Sequence, residues 1–269
     1  MKIFKITIAL VFCLAFFTCV SNQGGNDNGP FVFSKYSKLI RPPSSNKQAA
    51  EAKIEISFSL VDTKQKELAK VVYAALYNGL NPKQYADKTI NSLKSEYLES
   101  VEGEEIDPEW IEMFQWEYQE EHHVTVNGSY AVITTSIYQY TGGAHGYNGI
   151  SDYVFNITTP EALSLNDIIT GSGFSSLKPL VMRQLRLYSE EVTGQRMKPN
   201  DPLSSGGLYL TDDVELKDWY PTAEGLCFLW NPYDISYYAA GHIQITVKWS
   251  DLKGILGPKG TALAGAYNK

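Results

Sequence analysis

The chain has 269 residues, 43% of them hydrophobic and 20% charged, with 23 Lys and Arg against 30 Asp and Glu. That is enough for one large or two small hydrophobic cores, and it excludes disorder, coiled coil and collagen as overall descriptions. A net charge of −7 has the wrong sign for a nucleic-acid footprint, and 18 Tyr, 11 Phe and 5 Trp favour sheet.

Lys2 and Lys5 precede an apolar run from Ile6 to Phe17, broken only by Thr7. The run is too short to span a bilayer core of about 30 Å and suits the central region of a signal peptide. Cys19 closes it. The run Phe16-Phe17-Thr18-Cys19 resembles a bacterial lipoprotein signal, with Phe16 in place of the usual Leu and Thr18 in place of a small residue. Residues 1–19 are therefore predicted to be a signal peptide with a lipobox-like end. The chain is expected to be exported and lipid-anchored through Cys19 on the periplasmic or cell-surface side of a membrane, with soluble secretion as the alternative. Cleavage takes Lys2 and Lys5 from the basic count, leaving 21 against 30 acidic side chains. Cys227 is then the one cysteine outside the leader, and in Leu226-Cys227-Phe228-Leu229 it reads as a small buried hydrophobe.

Residues 20–50 read as a polar tether, interrupted at Phe31-Val32-Phe33 by a candidate edge strand. Ile54, Ile56, Phe58 and Leu60 alternate as one face of a strand. Asp62, with Gln65 three residues on, is expected to cap a helix whose stripe is Leu68, Val71, Val72, Ala75 and Leu76. Asn81-Pro82 opens a second helix that buries Ile90, Leu93, Tyr97 and Leu98. The acidic run 102–112 reads as a solvated linker. Sheet follows through 114–118, the Asn127-Gly128 turn, 130–140 and 153–157. A helix is predicted over 174–192 and strands near 217–220, 226–230 and 243–248. Ser250 is expected to cap a last helix ending at Gly257, with 259–269 as a tail. The order is α+β, in two packed subdomains of antiparallel sheet with helices, 51–157 and 158–258.

The most distinctive segment is Tyr138-Gln139-Tyr140-Thr141-Gly142-Gly143-Ala144-His145-Gly146. It resembles the signature of a bacterial extracytoplasmic family, the domain of unknown function numbered 3298, with its usual N-terminal companion numbered 4163. Leu163-Ser164-Leu165-Asn166-Asp167-Ile168, Gly225-Leu226-Cys227-Phe228, Asn231-Pro232-Tyr233-Asp234-Ile235 and the stretch from Tyr238 to Val247 resemble further blocks of that family. Tyr237 stands where members often carry proline. The likeness covers about 50–257 and is to the RsiV/PdaC-like module, found in a lysozyme-sensing anti-sigma factor and beside a peptidoglycan deacetylase. It implies a C-terminal part similar to a subdomain of the Hsp70 ATPase. The short stretches before the apolar run and after the last helix suggest the module alone on its tether.

Glycines 142, 143 and 146 permit positive φ and close approach around His145. His145 bonds a backbone carbonyl in a tight connection, contacts a ligand or partner, or takes part in catalysis. His242 follows Gly241, but neither histidine sits in a metal-ligand spacing. His122 and His123 point to opposite strand faces and are expected to be solvated. Trp110, Trp116, Tyr140, Tyr147, Trp219, Tyr220, Trp230, Tyr233 and Tyr238 are either core fillers or, where exposed, stacking and anchoring groups. The candidate binding residues are Tyr140, Gly142, Gly143, His145, Tyr233, Tyr238 and His242. No catalytic residue, metal or cofactor is assigned. The sequence thus points to a non-enzymatic binding module of the cell envelope. Its partner is an envelope protein or glycan, with a lysozyme-like muramidase suggested by the resemblance. A hydrolase or deacetylase acting on wall polymers is the alternative.

Overall fold

A computed structural model of the protein describes residues 29–42, 51–102, 108–198, 201–209 and 214–268. The leader and Cys19 lie outside these residues. β1 (Phe31–Ile40) pairs antiparallel with β2 (Lys53–Thr63) over its full length. The aromatic triplet is therefore the start of a ten-residue strand, and 31–40 is sheet rather than tether. Its lysines hid it: an edge strand needs apolar groups only where it is covered, and Lys elsewhere blunts unwanted pairing.

β2 buries Ile54, Ile56, Phe58 and Leu60 as the alternation requires. The chain then crosses the sheet through α1 (Lys66–Tyr77) and α2 (Pro82–Val101). Gln65, not Asp62, is the N-cap of α1. The Asp62 carboxylate is engaged elsewhere, accepting from the Thr63 amide at 2.7 Å and the Tyr73 hydroxyl at 2.5 Å. α2 starts as its sequence says. The Asn81 side chain accepts the Gln84 amide at 2.9 Å, and the Gln84 side chain accepts the Asn81 amide at 3.2 Å. Residues 103–107 of the acidic run lie outside the described residues, and Pro108–Phe114 forms a 3-10 segment.

β3 (Gln115–Asn127), β4 (Tyr130–Tyr140), β5 (Tyr147–Asn156) and β6 (Glu161–Leu163) complete a six-stranded sheet in the order β1-β2-β3-β4-β5-β6. One pair departs from the antiparallel expectation. β3 runs parallel to β2, because the two-helix crossover returns the chain to the end of the sheet where β2 began.

One face of this sheet packs on α1 and α2, with Phe58, Leu60, Leu68, Tyr77, Tyr97 and Phe155 at its centre. His122 belongs to this core. It was expected to be solvated, but it is buried, as is Glu120. The carboxylate of Glu120 accepts from the hydroxyls of Tyr85 (2.9 Å) and Tyr118 (2.7 Å). The Val61 amide approaches His122 Nδ1 at 3.4 Å, which makes that nitrogen the acceptor. Nε2 therefore carries the proton and donates to Glu120 Oε1 at 3.1 Å. A buried carboxylate is tolerable when several donors surround it. Here Tyr85 of α2 joins Tyr118 and His122 of β3 as donors, and sequence position alone does not disclose that. Burial, reinforced by the charge of Glu120, raises the hydroxyl pKa of Tyr77, Tyr85 and Tyr118.

The other face of the β4–β6 half supplies Tyr130, Val132, Val154 and Leu163 to a second core. The rest of that core comes from α3 (Leu165–Ile168), α4 (Phe174–Thr193), the antiparallel sheet β7 (Asp218–Pro221), β8 (Gly225–Trp230) and β9 (Ile243–Lys248), and α5 (Trp249–Leu252). The expected final helix is only α5, one turn beginning before Ser250. The expected tail is α6 (Pro258–Tyr267), whose Leu263 is fully buried. Small residues conceal it: Gly260 comes close enough to the Ile168 carbonyl that a Cβ would lie 2.2 Å away. The fold is α+β, with two cores on opposite faces of one large sheet.

Candidate functional site

Thr141 to Gly146 connect β4 to β5, and two glycines are fixed there by space. Gly142 has φ +89°, and a Cβ on it would stand 2.7 Å from the Met113 carbonyl oxygen. A Cβ on Gly146 would strike the Tyr138 ring at 2.5 Å. Gly143 has φ +98° in open space, and its carbonyl accepts from the Tyr140 hydroxyl at 3.0 Å. The connection holds His145 at the surface. His145 Nδ1 is 3.0 Å from the Gly146 carbonyl oxygen, which can only accept, so Nδ1 is the protonated nitrogen and Nε2 is an acceptor.

The facing wall is the segment between β8 and β9. Asn231 clasps β5 through both ends of its amide: its Oδ1 accepts from the Ile150 amide at 2.7 Å and its Nδ2 donates to the Ile150 carbonyl at 2.9 Å. Asp234 returns to the Asn231 amide at 2.7 Å. Tyr233 sits in this turn with φ +74°, a left-handed conformation that a large L-residue adopts only under constraint. The result is an exposed ring. Tyr238 stacks on His145 with centroids 3.8 Å apart and planes 17° from parallel, and its hydroxyl donates to the Gly146 carbonyl at 2.7 Å. Tyr233 lies 5.7 Å from Tyr238 and reaches His145 Nε2 at 3.5 Å.

The structure thus brings Tyr140, Gly142, Gly143, His145, Tyr233 and Tyr238 to one ledge across the seam between the two sheets. His242 lies along the same seam. Burial lowers its pKa against a hydrogen bond with the Asn148 backbone, and among the described residues its Nε2 has no hydrogen-bond partner. Among the described residues no group of three or more His, Cys, Asp and Glu side chains could hold a metal ion. Of the other aromatics, Trp219 and Trp230 are core, while Trp110 and Tyr147 are exposed. Cys227 is buried.

Sequence reasoning missed two further exposed tyrosines, Tyr237 next to Tyr238 in the chain and Tyr209, whose amide donates to the Ile235 carbonyl at 2.8 Å. Tyr209 and Tyr237 are exposed, at 57% and 51%. A shallow polar groove of about 510 Å³, lined by Ser37, Glu55, Ser57, Glu117 and Gln119 among others, occupies the uncovered half of the large sheet. In register, Glu117 lies opposite Tyr140 and Gln119 opposite Tyr138, so the groove runs up to the tyrosine loop. The alternation of Gln115-Trp116-Glu117-Tyr118 at the start of β3 carried the signal for this face.

Residues 166–250 match the family model described as a protein of unknown function, DUF3298. The match takes in the 225–228, 231–235 and 238–247 blocks and leaves out 138–146. A DUF3298-family protein of Bacteroides fragilis has a similar crystal structure, with a TM-score of 0.69 and 19% identity over 89% of this chain and 97% of that one. A second, from Pseudomonas aeruginosa, gives a TM-score of 0.58 and 16% identity over 85% and 94%. These likenesses establish the α+β fold. No curated protein sequence matches the chain.

Gly142→Val adds a carbonyl clash to backbone strain and should lower stability by about 1–3 kcal/mol or more, whereas Gly143→Val meets only the strain. Urea midpoints measure the two losses. Equal midpoints for Gly142→Val and the unchanged protein would contradict the packing described for this loop.

Proposed function

We propose that this protein is a non-enzymatic binding module of the bacterial cell envelope, and that the His145–Tyr233–Tyr238 ledge is its recognition surface. The observation that carries the reading is an exposed aromatic cluster held rigid from both sides of a seam. Large side chains ordered before binding cost little entropy when a ligand arrives, and tyrosines anchor protein and glycan interfaces alike. The polar groove leading to Tyr140 gives such a ledge an extended floor. A wall glycan or an envelope protein fits this pairing. In keeping with the RsiV/PdaC likeness, the N-terminal part plays the companion module's role. The hydrogen bonds of His145 run to a backbone carbonyl and a tyrosine, which suits recognition better than the hydrolase or deacetylase alternative, where a histidine base is oriented toward a nucleophile.

On charge, a basic lysozyme-like muramidase is the first partner to examine. With 21 basic and 30 acidic side chains after export, an opposite net charge speeds encounter and disfavours acidic competitors, though it adds little affinity alone. The chain from residue 29 onward, titrated calorimetrically with a basic lysozyme and with wall glycan fragments at two salt concentrations, should bind one of them. Tyr233→Ala should weaken that binding about tenfold or more without moving the melting temperature. Absence of heat with both ligands at about 50 µM, or binding indifferent to Tyr233→Ala, would overturn the assignment.

Export and anchorage belong to the same proposal. Cys19 closes the apolar leader and is followed by Gly24, Gly25, Asn26 and Asn28, the composition of a polar tether. Acylation there would fix the module to a membrane. Cys19→Ser should move the protein from the membrane fraction to the soluble one, and unchanged membrane retention would sink the idea.

A further inference from the structure

Asp152 on β5 and Asp218 at the head of β7 come from different sheets and meet where those strands pack together. Asp152 lies on the face of β5 turned toward the second core. Its register partner on β4, Thr134, donates its hydroxyl to Asp152 Oδ1 at 2.5 Å. Asp218 accepts from the Asp152 amide and the Ser151 hydroxyl. Both carboxylates border an open cleft of about 360 Å³ whose lining mixes apolar side chains, Val154, Leu165, Leu216 and Trp219, with the polar Ser164, Asn166 and Lys217. Asp234, from the turn after β8, adds a third negative charge acting on Asp218. Lys217 is the cation beside them, but it is exposed and paired with Glu215 at 2.8 Å. The seam therefore gathers like charge, with Asp152 largely buried and Asp218 about half-buried.

We propose that Asp152 and Asp218 form a proton-operated latch between the two sheets: protonating Asp152 removes a like charge and tightens β7 on β5, and ionising it loosens the seam. Burial pushes the Asp152 carboxyl up from 3.8 to about 6; the Asp218 charge adds to the rise and the Thr134 hydrogen bond opposes it. Burial also raises Asp218. A carboxyl whose folded pKa lies above its unfolded value binds more protons when folded. The stabilisation is therefore fully present below about pH 4 and is lost as pH rises through about 6. Asp152 is two residues from Ile150, which the Asn231 amide clasps, so the latch acts on the footing of the aromatic ledge. It is independent of which ligand the ledge binds, or whether it binds one.

Other groups titrate in the same range. His242, with its pKa lowered by burial, loses stability as pH falls, the opposite sign. The comparison must therefore be between wild type and Asp152→Asn, in which those groups are unchanged and the amide mimics the protonated acid. Urea unfolding from about pH 4 to about pH 7.5 should show the folding constant of Asp152→Asn gaining on wild type by about a hundredfold. Tryptophan emission, with Trp219 buried at the cleft, should change near about pH 6 in wild type and not in the variant. A stability difference that stays constant with pH, or an emission transition retained in Asp152→Asn, would overturn the latch. Should Asp152→Asn not fold, carboxyl NMR on the wild-type chain decides: an Asp152 midpoint near about 6 supports the latch, and one at or below about 4 contradicts it.

Discussion

The structure depends on two strands being buried on both faces. Along β4, Tyr130 and Val132 enter one core while Ala131 and Ile133 enter the other, and on β5 Val154 and Phe155 divide in the same way. With a side-chain period of two, a slip of one residue would exchange the two sets and place every one of these groups in the wrong core. The register of β4 against β5 is therefore held from both sides, and the two cores are not independent. Each fully buried aliphatic or aromatic side chain on these strands contributes about 1.5–3 kcal/mol relative to exposure, and that contribution requires both the α1–α2 layer and the β7–β9 layer to be in place.

From this shared sheet the ledge follows. β4 and β5 leave the doubly covered region and turn through Gly142, Gly143 and Gly146, while the β8–β9 turn comes up from the second core to meet them. His145 and Tyr238 can stack only because Asn231 fixes one wall to the other. The left-handed Tyr233 is where the constraint shows in the backbone. Such strain persists where surrounding bonds over-determine it, and here the Asn231–Asp234 turn supplies them. The polar groove exists for a complementary reason: the second core covers only half of the large sheet and leaves the serines and glutamates of β2 and β3 open.

Much of this was legible in the sequence, and the failures have physical causes. The strand at Ile54–Leu60, the helix start at Asn81-Pro82 and the strands of the last third rest on local patterns, whereas the meeting of His145 with Tyr233 and Tyr238 joins segments far apart in sequence. β1 was mostly missed because an edge strand need not look apolar. His122 is buried against expectation because its partner Glu120 is completed by Tyr85, which arrives from α2 across 35 residues of sequence. α6 was read as a tail because glycines and alanines pack closely without showing a stripe. The parallel pairing of β2 with β3 is a matter of topology, set by the crossover and not by either strand.

The most direct measurement of the shared-sheet architecture is equilibrium unfolding followed by two local probes. Trp116 packs against the first core, while Trp219, Trp230 and Trp249 belong to the second. Retaining Trp116 alone in one variant and Trp230 alone in another gives one fluorescence reporter for each side. If the cores share β4 and β5 as described, emission from both variants and far-ultraviolet circular dichroism should give the same urea midpoint relative to each variant's own calorimetric stability, in one cooperative transition. Two separated transitions, with one reporter released while the other stays native, would show that the cores stand independently and would contradict the architecture.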